Sequence, residues 1–318
     1  MTEGASLVRM QQLIMRAAAW PPLRTAVVHP CDVASMQGMD AAAKAGLIVP
    51  VLVGPAVRLI KAAAAAKIQI GHYDMVPVPH SHAAAATAVA LARAGKVDAL
   101  MKGSIHTDEL MAAVVDHALG LRTDRRMSHV FVVDVPTYHW PLLITDAALN
   151  ITPDLLAKRD ICQNAIELAH DLGLPNPLVA LLAATEMVDA SMPATLDAAA
   201  LCKMADRGQI TGGTLDGPLA FDNAVSVTAA HMKNIVSPVA GHADILVVPN
   251  IESGNMLAKQ LDYLAAADLA GIVLGASIPI MLTSRADLVQ ARVASAALAV
   301  LWVAGQKARL AAKLERLK

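Results

Sequence analysis

Short apolar runs alternate with longer alanine-rich runs along most of this chain, and that alternation restricts the fold more than any other feature. TAVVHP reads as a strand, and SMQGMDAAAKAGL after it reads as a helix ending near Gly46. VPVLVGP with AVRLIKAAAAAK repeats the unit, and DMVPVP with HAAAATAVALARAGK repeats it again before VDALMKG. Strand and helix in this rhythm bury their apolar faces as βαβ units, which build a parallel sheet with helices on both faces. Continuously apolar runs such as GIVLG and IPIML suit strands covered on both sides.

The rhythm changes at about residues 128–145, where SHVFVVDVP and WPLLITD follow each other with a short connection. Two consecutive strands without a helix predict a hairpin or a crossing between domains. Alternation then resumes with a helix over 153–172, the strand LVALLAA, a helix over 195–207, the strand DILVVPN and a helix from Asn255. The tail from Ser284 is a long helical pattern whose final charges, in KARLAAKLERLK, read as a solvated face. A length of 318 residues suits two domains of ordinary size.

Apolar residues make up 56% and aromatic residues only 3%, so small and aliphatic side chains must fill the core. The most hydrophobic run, LAGIVLGASIPIML, is broken by Gly271, Gly275, Ser277 and Pro279 and falls short of a membrane span. The first residues, MTEGASLVRM, lack the charged start and apolar core of a signal peptide. The expectation is a cytoplasmic protein without a membrane partner. A net charge of −1 argues against a nucleic-acid partner. Cys31, Cys162 and Cys202 are far apart and form no CxxC pair, which fits a reducing compartment. Cys31 follows a strand, where it is either a nucleophile or a small packed residue.

In open α/β sheets, ligands bind beyond the carboxyl ends of the strands. Beyond VDALMKG lie Ser104, His106 and Thr107, and beyond DILVVPN lie Glu252, Gly254 and Asn255. Beyond IPIML lie Thr283, Ser284, Arg285 and Asp287. KGSIHT and ESGN each set small and polar residues at a helix start, where free N–H groups and the helix dipole favour phosphate. Lys259, one turn further on, adds a cation. The plainer reading is helix capping by Ser104, Thr107 and Asn255, with Ser284 and Asp287 opening the last helix. GxGxxG and GxxxxGK[ST] are both absent. His80 and His82 lack a carboxylate or cysteine at metal-site spacing, so no metal is expected.

The run ADILVVPNIESGNMLAKQLDYLAAADLAGIVLGASIPIMLTSRAD resembles the phosphate acetyl/butyryltransferase family. MKGSIHTDELM, RRMSHVFVVDVP, LLITDAALNITPD and TGGTLDGPLAFDNAVS add further similar blocks in family order, over roughly residues 25–305. The chain looks most similar to the butyryltransferase branch and to the acyltransferase half of hydratase–acyltransferase fusions. Tyr263 stands where the acetyl branch usually has an arginine, and that branch's catalytic aspartate lies further beyond the Ser-Arg pair than Asp287 does.

The resemblance implies two three-layer α/β/α domains with mostly parallel sheets and an active-site cleft between them, the fold of isocitrate and isopropylmalate dehydrogenases, usually in a homodimer. The expected domains are 1–138 with 283–318, and 139–282. It implies reversible transfer of a short acyl group, acetyl to butyryl, between coenzyme A and inorganic phosphate. No permanently bound cofactor is then required, since coenzyme A, acyl-CoA and phosphate are substrates. Ser284 and Arg285 match the family's catalytic pair, with Asp287 as candidate base and His106 as the alternative. Ser104, His106, Thr107, Glu252, Gly254, Asn255, Lys259 and Thr283 are the candidate coenzyme A and phosphate contacts. A dehydrogenase on the same fold would need a nicotinamide site and usually clustered acids. A non-catalytic coenzyme A- or phosphate-binding protein would be expected to have lost LTSRAD, which is intact.

Overall fold

The structure is a computed structural model that describes residues 3–283 and 287–316. Its elements begin with α1 (Glu3–Ala18), β1 (Leu23–Val28), α2 (Val33–Lys44), β2 (Ile48–Gly54), α3 (Ala56–Ala66), β3 (Asp74–Pro77), α4 (Ser81–Arg93), β4 (Ala99–Lys102) and α5 (Thr107–Val114). Then come β5 (Ser128–Asp134), β6 (Leu142–Thr145), α6 (Leu155–Asp171), β7 (Leu178–Leu182), α7 (Pro193–Asp206), β8 (Thr214–Leu219), α8 (Phe221–Val225) and α9 (Val227–Met232). The chain finishes with β9 (Ile245–Val247), α10 (Ile251–Ala265), β10 (Asp268–Leu274), β11 (Ile280–Met281) and α11 (Val289–Arg316).

The chain forms two compact units. One comprises Met1–Arg9 and Arg126–Leu269, the other Met10–Arg125 and Ala270–Lys318. The sequence reading set the corresponding crossings at 138/139 and 282/283.

In the second of these units the strands run β3-β2-β1-β4-β11-β10. All neighbours are parallel except β10 and β11, where Ile272 opposes Met281 and Val273 opposes Ile280. Val27, Val28, Leu52, Val53, Leu100, Met101 and Ile280 are at most 3% exposed, so the strands are covered on both faces, as their unbroken apolar runs require. Helices α2, α3 and α4 pack on this sheet, and α11 packs on β11 and α2. By length and composition α11 could cross a bilayer, yet 61% of its apolar window is buried in the fold. Its residues Val293–Trp302 are buried on every side of the helix, which marks a core helix of a folded unit.

In the other unit the order is β5-β6-β9-β7-β8. The two consecutive strands form a hairpin, one of the two arrangements expected for them, with Val130 opposite Thr145 and Val133 opposite Leu142. The remaining pairs are parallel. Alternation along the strands sorts two faces. Leu142, Ile144, Ala180, Leu182, Leu246 and Val248 join a core with Ala224, Ala230 and Leu257 from α8, α9 and α10. Leu181 and Val247 line a small cavity on the α6 and α7 side with Lys158, Ala198 and Leu201. The fold is thus α/β with mostly parallel strands flanked by helices. The pattern did not announce α1, β8, α8 or α9. In β8 the run TLDGPL is only half-buried for its first four residues, so apolar periodicity is weak there. Arg9 belongs to this unit, pairing with buried Asp134 at 2.7 Å and donating to the carbonyls of Val135 and Tyr138.

Candidate active site

Strands β1, β4 and β11 are parallel neighbours, so their carboxyl ends lie on one edge. That edge is assembled through the backbone first. Gly103 N–H donates to the carbonyl of Val28, and Ser104 N–H donates to that of His29. A Cβ on Gly103 would stand 2.5 Å from the Val28 carbonyl oxygen, so only glycine allows this approach. The Ser104 hydroxyl donates to the His29 carbonyl and accepts from Cys31 N–H, both at 2.9 Å. Ser104 therefore ties the β1 loop to the β4 loop and does not cap α5. The N-cap of α5 is His106, which makes no side-chain cap bond, and Thr107 is the first helical residue. His106 is exposed and Thr107 half-buried. The first turn carries Asp108 and Glu109, which already place negative charge at the dipole's positive end.

Beyond β11, Thr283 is only 4% exposed. Its carbonyl accepts from Lys102 Nζ at 3.2 Å and its hydroxyl accepts from Arg292 Nη1 at 2.9 Å. Lys102 closes β4 and Arg292 projects from α11, and the two are 4% and 3% exposed. Burial pulls the Arg292 guanidinium below its usual range, opposed by the charges of Asp287 and Asp32. Asp287 is half-buried. Ser284 and Arg285 lie outside the described residues. Sequence reading missed Lys102 and Arg292, although each is legible as a lone cation: Lys102 ends the apolar strand VDALMK, and Arg292 interrupts LVQARVASAALAV.

The other unit holds the second group of candidates. Helix α10 begins at Ile251, not at Asn255, because Asn250 and Ser253 form a capping box. The Asn250 side chain accepts from Ser253 N–H at 3.0 Å. Ile251 N–H donates to the Ile151 carbonyl, and Gly254 N–H donates to the Asn250 carbonyl. These three N–H groups at the start of the helix are therefore engaged inside the fold, and those of Ser253 and Gly254 belong to the ESGN stretch read as a phosphate seat. Glu252 and Lys259 are exposed, and Gly254 is buried. A Cβ on Gly254 would meet Val248 Cγ2 at 2.7 Å and the Asp146 carbonyl oxygen at 2.9 Å. The half-buried Asn255 donates from Nδ2 to the Ala147 carbonyl at 3.2 Å. Gly254 and Asn255 thus dock α10 on the turn after β6.

That turn is organised by Asp146, another residue the sequence did not single out. Its Oδ1 accepts from the N–H groups of Ala148 and Leu149, each at 3.0 Å. Its Oδ2 accepts from Asn150 N–H at 3.1 Å and from Asn150 Nδ2 at 2.5 Å. Burial pushes this carboxyl above its ordinary range, and the hydrogen bonds pull the other way.

The histidines offered as a metal site have other partners. His80 caps α4 by accepting from Ala83 N–H, and His82 pairs with Glu109 at 2.7 Å. Among the described residues no three His, Cys, Asp or Glu side chains converge on a point that could hold a metal. Burial lowers the His29 pKa, with its bond to the Ser104 carbonyl opposing. Burial raises the Cys31 thiol above its usual value, so little of it is thiolate near neutral pH. Cys31 is accordingly expected to react with iodoacetamide more slowly than free cysteine at about pH 7.5, a pH below the ordinary thiol value. Cys31→Ser is expected to keep turnover within about threefold of the parent, well short of the loss caused by removing a nucleophile. Rapid alkylation together with a dead serine variant would restore the nucleophile reading.

The geometry therefore presents two strand-end groups, one in each unit. Ser104, His106, Thr107, Thr283 and Asp287 belong to one, and Glu252, Gly254, Asn255 and Lys259 belong to the other. A family model described as phosphate acetyl/butaryl transferase matches residues 78–300. A phosphate acetyltransferase of Rhizobium meliloti is 58% identical over 300 residues, covering 94% of this chain and 95% of the relative. A phosphate butyryltransferase of Clostridium acetobutylicum is 40% identical over 296 residues, covering 93% of this chain and 98% of the relative. A branched-chain phosphotransacylase from Enterococcus faecalis V583 has the same fold, with a TM-score of 0.77 and 30% identity over 88% of this chain and 99% of that one. With matches of this length and identity, the chain belongs to the phosphate acetyl/butyryltransferase family.

Proposed function

We infer from this membership that the chain is a phosphate acyltransferase. It moves a short acyl group reversibly between coenzyme A and inorganic phosphate, giving acyl phosphate and free coenzyme A. The observation that carries this reading is the near full-length identity to a phosphate acetyltransferase together with an intact LTSRAD. The acetyltransferase relative is more similar than the butyryltransferase one, so acetyl is the first acyl group to test.

In the direction of acyl-CoA synthesis, the coenzyme A sulfur attacks the acyl phosphate carbonyl carbon. The bond from that carbon to the phosphate oxygen breaks, and phosphate leaves. A free thiol titrates near pH 8.5, so a base must take its proton at neutral pH. We assign that role to Asp287, with His106 as the alternative. Because the Asp287 charge also acts on Arg292, the same carboxylate would serve a buried cation. Ser284 would hydrogen-bond the sulfur. Arg285 would meet the carbonyl oxyanion or the phosphate with a planar, permanently charged fork. Ser104, Thr107, Glu252, Asn255 and Lys259 would contact coenzyme A and phosphate. On this reading the reaction runs without a permanently bound cofactor, in a cytoplasmic homodimer with no nucleic-acid or membrane partner.

The test is an assay of free thiol release from a panel of acyl-CoAs, two to six carbons long, with and without phosphate. Phosphate-dependent release from at least one short acyl-CoA is expected. Release from none of them would overturn the assignment.

A further inference from the structure

Two buried cations hold one residue. Lys102 takes the Thr283 carbonyl and Arg292 takes the Thr283 hydroxyl, from β4 and α11 respectively. Stability alone gives little reason for this arrangement. Burying a charge is costly, and apolar side chains of similar volume would join β4, β11 and α11 at least as well. The fold also makes room for the arrangement. In α2, any side chain at Gly38 would overlap Arg292 Cδ, so a helix interior carries glycine where most residues favour the helix more. The acidic charges of Asp287 and Asp32 act on the guanidinium and favour its charged form. Both cations meet Thr283, the residue that immediately precedes Ser284 and Arg285.

We infer that Lys102 and Arg292 are positioning residues, which fix Thr283 so that the Ser284–Arg285 pair that follows it meets the reacting groups. Contacts on both the carbonyl and the hydroxyl restrain the backbone and the side chain of Thr283 together. Misplacement of a reacting group by about 1 Å costs on the order of a hundredfold in rate. The inference rests on the reading of Ser284 and Arg285 as the catalytic pair.

The experiment compares Lys102→Met, Thr283→Val and Thr283→Ser with Arg285→Ala, measuring kcat, both KM values and the denaturation midpoint. Lys102→Met and Thr283→Val are expected to lower kcat by about tenfold to a hundredfold, with KM for phosphate and acyl-CoA nearly unchanged. Thr283→Ser keeps the acceptor oxygen and is expected to recover most of the loss seen in Thr283→Val. If Arg285→Ala is inactive while Lys102→Met and Thr283→Val turn over normally, the positioning role is wrong and the catalytic pair stands. If Arg285→Ala is active, the catalytic assignment itself fails. An unfolded Lys102→Met or Thr283→Val protein, or a Thr283→Ser variant as slow as Thr283→Val, would make these contacts structural and overturn the inference.

Discussion

Arg285→Ala is expected to lower turnover by about a hundred- to a thousandfold, the loss typical of removing one donor from an oxyanion site. The charge that develops on the carbonyl oxygen, or on the departing phosphate, needs a donor already in place and already charged. A guanidinium supplies two parallel N–H groups and does not titrate in the working range. The denaturation midpoint is expected to stay where it was. Both kcat and kcat/KM should fall together, because the contact forms in the transition state. Arg285→Lys should recover only part of the rate, since a point charge cannot reproduce the fork. A loss confined to KM for phosphate would make Arg285 a ground-state binder instead.

Asp146→Ala is expected to cost about 3 kcal/mol of stability or more, because it strands two buried and two half-buried donors at once. The lost acceptor serves Ala148, Leu149 and Asn150 through their backbone N–H groups, and the Asn150 amide besides. Asn150 in turn accepts from Arg126 Nε at 2.7 Å and donates to the Met127 carbonyl at 2.8 Å, so the damage reaches the start of β5. Gly254 and Asn255 of α10 rest on the same turn, which links its loss to the candidate substrate contacts. A denaturant titration reads the midpoint, and activity should fall in parallel. A shift below about 1 kcal/mol, no more than one ordinary hydrogen bond, would show that the turn is held by other means.

These two residues sit differently with respect to sequence. Arg285 was singled out because its neighbours resemble a family motif and because polar residues beyond an apolar strand are where α/β sheets bind ligands. Asp146 was not, since a lone acid after LLIT looks like any loop residue until its four donors are in place. The helix starts show a similar division. ESGN reads as a helix entrance, but the capping box belongs to Asn250 and Ser253, so Gly254 and Asn255 lie inside α10 and serve its docking. Ser104 reads as a cap, yet its hydroxyl bridges two strand-end loops far apart in sequence. Capping preferences are local, and tertiary partners compete for the same hydroxyl.

The α/β class, the two consecutive strands within 128–145, the covered strands and the family were readable from the chain alone, because apolar periodicity and a long motif run are local properties. That Lys102 and Arg292 meet on Thr283, that position 38 must carry no side chain beside Arg292, and that Asp146 organises the seat of α10 emerged from the folded contacts. Such contacts join residues from separate elements, and no periodicity records which polar side chains a fold will bury together.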